Sequence, residues 1–143
     1  MNIAPAIPRS RDIATGNDVG VIVRRFYRAV IADAVLGPLF EGYGVDWPHH
    51  IPKLEMYWEH VLLDHPGAMV NTIAAHGPVQ RATPFGRRHI DRWLELWEET
   101  VDELYVGPVA ERAKGRARQV GRALRAVARR QRNETPEDDD GPD

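Results

Sequence analysis

The sequence predicts an all-α fold, and three observations carry that reading. Apolar residues recur at the helical period of 3.6, most cleanly as Ile90, Trp93, Leu94, Trp97, Val101 and Leu104. No stretch shows the period-two alternation of a half-buried strand. Pro/Gly pairs such as Gly77-Pro78 and Gly107-Pro108 punctuate the periodic segments and stop helices between them.

Taken in order, residues 1–17 carry prolines and polar residues without period and read as a flexible N-terminal leader. Val19, Ile22, Val23, Phe26, Val30 and Ile31 then mark a helix of about four turns, which Asn17 or Asp18 can cap and Asp33 ends. Tyr27 sits at the edge of that stripe, with its ring partly inward and a hydroxyl in need of a partner. A short helical turn over Val35 to Phe40 supplies apolar plugs, and residues 41–46, with two glycines, read as a loop. A central helix follows from Trp47 to Leu63. Pro48 and Pro52 fall in its opening turns, where a backbone N–H has no helical partner to lose. Residues 68–75 form a weaker short helix, and residues 77–86 a loop. After the Ile90–Leu104 helix comes a last one with Val109, Ala113, Ala117, Val120, Leu124 and Val127 inward. Its small alanines suit close packing on the preceding helix. The helical domain thus spans 18–131, and 132–143 read as a disordered acidic tail.

Composition narrows the chemistry. The 143 residues fit one domain, and 43% hydrophobic content suffices for a core. A net charge of −2 gives no global field toward nucleic acid or a membrane. The absence of cysteine excludes disulfides, thiolate-bound zinc, iron–sulfur clusters and thiolate-held haem, so any metal must use His, carboxylate, Tyr or Met. There is neither a long apolar run nor a signal-peptide core, so the default compartment is cytoplasmic.

The stretch from Trp47 to His76 concentrates the unusual chemistry. Trp47, His50, Leu54, Tyr57 or Trp58 and Val61 share one face of the central helix, which puts an imidazole on an apolar, aromatic stripe. His76 closes the next short helical segment, and the two imidazoles can face one another across a flat apolar gap suited to a planar cofactor. Singly, each feature has a bland reading. A lone His at a helix end is usually exposed or satisfied, and aromatics at helical spacing usually belong to a core. His60, His65 and His89 have no supporting pattern and read as surface residues, and no His-Glu-x-x-His zinc motif occurs.

Jointly the features form a recognisable order. Phe26-Tyr27 is followed by Leu36-Gly37-Pro38-Leu39-Phe40, then Trp47-x-x-His50 with Tyr57-Trp58, then His76, then Arg92-Trp93-Leu94-x-Leu-Trp97. This set resembles the group III truncated haemoglobins, short bacterial globins with a two-over-two helical sandwich around a haem. The likeness covers roughly Val19 to Leu124. It implies haem b, with His76 as the proximal iron ligand, a distal pocket of Tyr27, His50, Leu54 and Trp93, and Phe40, Tyr57 and Trp58 among the cofactor-binding residues. Two positions depart from the pattern. Tyr57 stands where the family usually carries Phe, and Ile90 where it usually carries an aromatic, which bears on pocket polarity and packing. The three-residue offset from Trp47 favours His50 over His49 as the pocket residue.

The resemblance implies binding of O2, NO or other small haem ligands. Tyr27 O–H and Trp93 N–H are then the natural donors to a ligand, with His50 at the mouth of the pocket as a third donor or a gate. Three donors around one ligand favour tight retention, or nitric oxide or peroxide chemistry, over simple storage. Ligand binding ranks above a defined turnover because no reductase domain is present, and a separate reductase is the implied partner. The rival reading rests on the last helix, where nine of the chain's 19 Lys and Arg residues lie between Arg112 and Arg132. A cofactor-free helical module could use that face to grip an acidic partner or nucleic acid. Base readers and stacking aromatics are lacking there, with Gln119 and Gln131 the only candidates. The charge is better read as a solvated face neutralised by the tail or by Glu98, Glu99 and Asp102.

Overall fold

A computed structural model describes residues 11–64 and 85–134. Among them are five helices and no strand: α1 (Gly16–Ala32), α2 (Leu36–Tyr43), α3 (Trp47–Leu63), α4 (Arg87–Leu104) and α5 (Pro108–Glu134). The all-α expectation is therefore met. Helix α1 packs against α3, α4 and α2, while α5 lies along α4 and touches α3.

The start of α1 differs in detail from expectation. Thr15 is the N-cap, accepting from the Asp18 N–H, and Asp18 reaches back to the Thr15 N–H in a reciprocal capping box. Asp18 thus acts from the third helical position rather than as the cap. Residues 11–15, expected to lie in a free leader, pack against the domain. Ile13 joins the main core, Arg11 pairs with both oxygens of Asp18, and Asp12 accepts from the N–H groups of Val109 and Ala110 at the start of α5. Gly107 permits this last contact. Its φ is +143°, and a Cβ there would sit 2.5 Å from the Asp12 carboxyl carbon.

Helix α2 runs three residues further than the expected turn, to Tyr43, and stops at Gly44 in the left-handed conformation (φ +65°). The corner between α1 and α2 is tight. A Cβ on Gly37 would lie 2.7 Å from the Ile31 carbonyl oxygen, so only glycine fits. Helix α3 has the expected bounds. Pro48 is near its start, but Pro52 lies inside it, so the Pro48 carbonyl loses its helical partner there.

The core is aromatic at its centre. Phe26 is completely buried and meets Tyr27, Trp93 and Trp97 edge-on, at centroid distances of 4.6, 5.9 and 5.0 Å. Trp97 stacks on Trp58 at 4.4 Å and donates its indole N–H to the Ala113 carbonyl. Each aromatic pair contributes about 0.5–1.5 kcal/mol beyond its buried area, so this ladder fixes α1, α3 and α4 relative to one another. Ala110, Ala113 and Ala117 are buried on the inner face of α5, as the close-packing argument expects. A smaller cluster of Phe85, Ile90, Val120, Leu124 and Ala128 closes the other end of the α4–α5 pair. Ile90, where the resemblance pointed to an aromatic, packs among these neighbours. No described helix is long and apolar enough to cross a membrane.

Candidate functional site

Tyr27 is the centre of the site. Helix α1 presents it one residue after Phe26, so its ring packs edge-on to Phe26 while its other side meets Phe40 of α2 (6.3 Å) and Trp47 of α3 (5.3 Å). Burial pushes its phenol up to about 12, and the indole N–H of Trp93, directed at the oxygen, works in the opposite direction. The phenol therefore keeps its proton at any physiological pH.

Around Tyr27 the chain leaves a wall of large side chains only half covered. Leu39 and Phe40 come from α2, Trp47, Ile51, Leu54 and Tyr57 from α3, and Trp93 and Leu94 from α4. Trp47 lies 5.7 Å from Phe40 and 6.0 Å from the ring of His50, which continues the wall toward the start of α3. His50 is half-buried and His49 exposed, so of the two imidazoles His50 is the one against the aromatic wall. Phe40 and Trp47 thus meet Tyr27, His50 meets Trp47, Trp93 meets Phe26, and Leu54 packs on the same core.

Two other expected site residues point elsewhere. Trp58 is 3% exposed and stacked in the core on Trp97. The Tyr57 hydroxyl accepts from the Nε–H of Arg116 on α5 at 3.1 Å. The polar atom that distinguishes Tyr57 from phenylalanine is thus satisfied on the α5 side. His76 and His65, with the rest of residues 65–84, lie outside the described residues. His89, expected at the surface without a role, accepts the Gly86 N–H on its Nδ1 at 2.9 Å and so helps to cap α4.

Three further residues bear on the site. Asp33 and Arg92 form an ion pair at 2.7 Å beside it. Tyr43 packs edge-on to Phe40 with its hydroxyl buried and unpartnered, and burial pushes that phenol up to about 12. Asp33 carried a sequence signal of its own, a carboxylate at the end of one helix and three residues before the next. Tyr43 carried none.

The described donor set suits an apolar, flat cofactor. Aromatic and aliphatic walls from three helices stay partly uncovered, and a phenol O–H and an indole N–H lie beside one another at their base. A comparison with solved structures finds the same chain path in a group III truncated haemoglobin from Campylobacter jejuni. The TM-score is 0.70 over 81% of this chain and 92% of that one, at 22% sequence identity. The fold is that of a truncated globin. Family models and curated proteins give no match. Tyr27 stands on α1, His50 and Leu54 on α3, which packs against α1, and Trp93 on α4.

Proposed function

We propose that the chain binds haem b and uses it to hold small diatomic ligands, with His76 as the iron ligand. The single observation that carries this reading is the Tyr27–Trp93 pair: a buried phenol and a half-buried indole, both proton donors, at the base of a half-covered aromatic face. The truncated-globin fold, and the haemoglobin description of the structural neighbour, support the same reading.

Haem b supplies an iron centre that takes O2, NO or carbon monoxide at an open coordination position. The chain's residues would do the rest. Phe40, Trp47, Leu54 and Trp93 would cover the flat apolar faces and exclude water. Tyr27 O–H and Trp93 N–H would donate to a polarised ligand, and they are worth more in this dry setting than in water. Because burial holds the Tyr27 phenol near 12, it remains a donor across the physiological range. His50, at the first turns of α3 beside Trp47, would serve as an outer donor or gate. Tyr57 would contribute its ring to the wall, its hydroxyl being held by Arg116. Two donors of this kind favour firm retention, or reaction of the ligand with nitric oxide or peroxide, over storage. A separate reductase would then supply electrons.

Absorbance spectra of the ferric, ferrous and carbon monoxide forms test the proposal. A strong band at the blue edge of the visible that shifts on reduction and again with carbon monoxide is expected. A chain that stays colourless after haem is added would overturn it.

The competing reading, an interaction module built on the basic helix, loses support from the ion pairs of α5. Lys114 pairs with Asp102 and Glu111, Arg118 with Glu98, and Arg125 with Asp91. Arg112 donates to the Leu62 carbonyl. Much of the positive charge is already turned to the protein's own surface.

A further inference from the structure

We infer that the Asp33–Arg92 pair is a positioning device that sets Trp93 against Tyr27. A single carboxylate here ties together three of the helices that line the aromatic wall. Asp33 is the C-cap of α1, the helix that carries Tyr27. Its Oδ2 accepts the N–H groups of Val35 and Leu36, at 2.9 and 3.0 Å, and so caps the start of α2, the helix that carries Phe40. Its Oδ1 accepts the Nε–H of Arg92 at 2.7 Å, and Arg92 immediately precedes Trp93 on α4. The Asp33 N–H and carbonyl close the same corner, bonding to the Val30 carbonyl and the Gly37 N–H.

The pair is built to be rigid. The Asp33 side chain is 7% exposed and accepts three charge-assisted hydrogen bonds. Burial opposes its ionisation, but the Leu36 N–H, the Arg92 guanidinium and the Val35 N–H together hold the carboxyl below its usual range. Arg92 is in turn braced by Glu95 one turn along α4. Glu95 is exposed, so it steadies the guanidinium without replacing the buried contact. Trp93 itself is only half-buried, unlike Trp97, which is held by Phe26, Trp58 and a hydrogen bond to Ala113. Its indole therefore depends more on how α4 is fastened at the neighbouring residue. A donor moved by a fraction of its hydrogen-bond length loses much of its effect.

The consequence for ligand retention rests on the haem reading, whereas the positioning of Trp93 does not. Asp33→Asn separates the two roles of the carboxylate. One amide oxygen can still cap α2, but the group facing Arg92 is then an NH2, which cannot accept. In the haem-free chain, the indole N–H resonance of Trp93, identified by its loss in Trp93→Phe, is followed by NMR. Asp33→Asn should shift it and speed its exchange with solvent by about tenfold, while the Trp97 indole stays unchanged. Arg92→Lys should do the same in lesser degree, since it keeps the charge and loses the planar fork. An unmoved Trp93 indole in both variants would overturn the inference, whatever the cofactor. In the haem-loaded chain, Asp33→Asn should speed O2 release by about three- to tenfold, less than outright deletion of a donor. It should add nothing in a Trp93→Phe background. An equal effect of Asp33→Asn in both backgrounds would also overturn the inference, because the carboxylate would then act through something other than Trp93.

Discussion

Arg116 on the basic helix α5 donates its Nε–H to the hydroxyl of Tyr57 on α3, 3.1 Å away. The contact accounts for two features at once. It satisfies the one polar atom by which Tyr57 departs from phenylalanine, and it turns a cation of the basic helix inward. Four residues earlier, Arg112 donates to the Leu62 carbonyl in the last turn of α3, so the two arginines fasten α5 to α3 at successive turns.

With these cations engaged, α5 should bind nucleic acid poorly. No complex tighter than about micromolar is expected at physiological salt, and any weak binding should fall steeply with added salt as counterions are released. Fluorescence anisotropy with labelled DNA and RNA over a salt series measures this. A sub-micromolar complex would restore the interaction-module reading.

The sequence made the helices legible because their apolar stripes are strong. Trp47 to Leu63 and the Ile90 stripe came through with their inner faces correct in outline. The neutralisation of α5 was foreseeable for Glu98 and Asp102, which lie on the facing helix at matching phase. What stayed hidden were contacts between residues far apart in sequence. Nothing in periodicity says that Asp12 caps a helix 97 residues on, that Tyr57 meets Arg116, or that Asp33 meets Arg92. Tyr27 and Trp93 were legible as inward-facing, and their proximity was implied by the family resemblance. Trp58 was on the same stripe as Tyr57, but a single 100° step turns it from the wall into the core.

Asp18 should make the domain acid-sensitive. Arg11 holds its carboxyl well below the usual carboxylate range, with burial opposing and the Ala14 and Thr15 N–H groups and Tyr105 O–H adding to the effect. A carboxyl depressed in the folded state contributes stability that is complete above its ordinary value, about 4. That contribution is lost as the pH falls through the lower, folded-state value. Asp18→Asn should lower stability at neutral pH by about 1.5–3 kcal/mol, the range for a hydrogen bond to a charged group. The gap to the native protein should close below about pH 4. Thermal unfolding followed by circular dichroism over a pH series checks both statements. A gap that is constant with pH would show that the Asp18 charge is not the source.

His76→Gly should empty the proximal position, and added imidazole should restore the native spectrum by occupying it. The experiment needs only haem-loaded protein and an absorbance titration. If the variant binds haem with an unchanged ferrous spectrum and ignores imidazole, another residue holds the iron.

The most direct test of the account is the rate of O2 release from Tyr27→Phe, Trp93→Phe and His50→Leu, measured by stopped flow. Tyr27 is locked among Phe26, Phe40 and Trp47, and Trp93 lies against Phe26, whereas His50 is half-buried near the start of α3. Loss of a hydrogen bond to a polarised acceptor costs about 1.5–3 kcal/mol, or roughly ten- to a hundredfold in rate. Tyr27→Phe and Trp93→Phe should each speed release by that much, less than additively when combined because both serve one ligand. His50→Leu should change release less and ligand entry more. A large increase in His50→Leu alone, with the other two near the native rate, would contradict the claim that the buried Tyr27 phenol and the Trp93 indole hold the ligand.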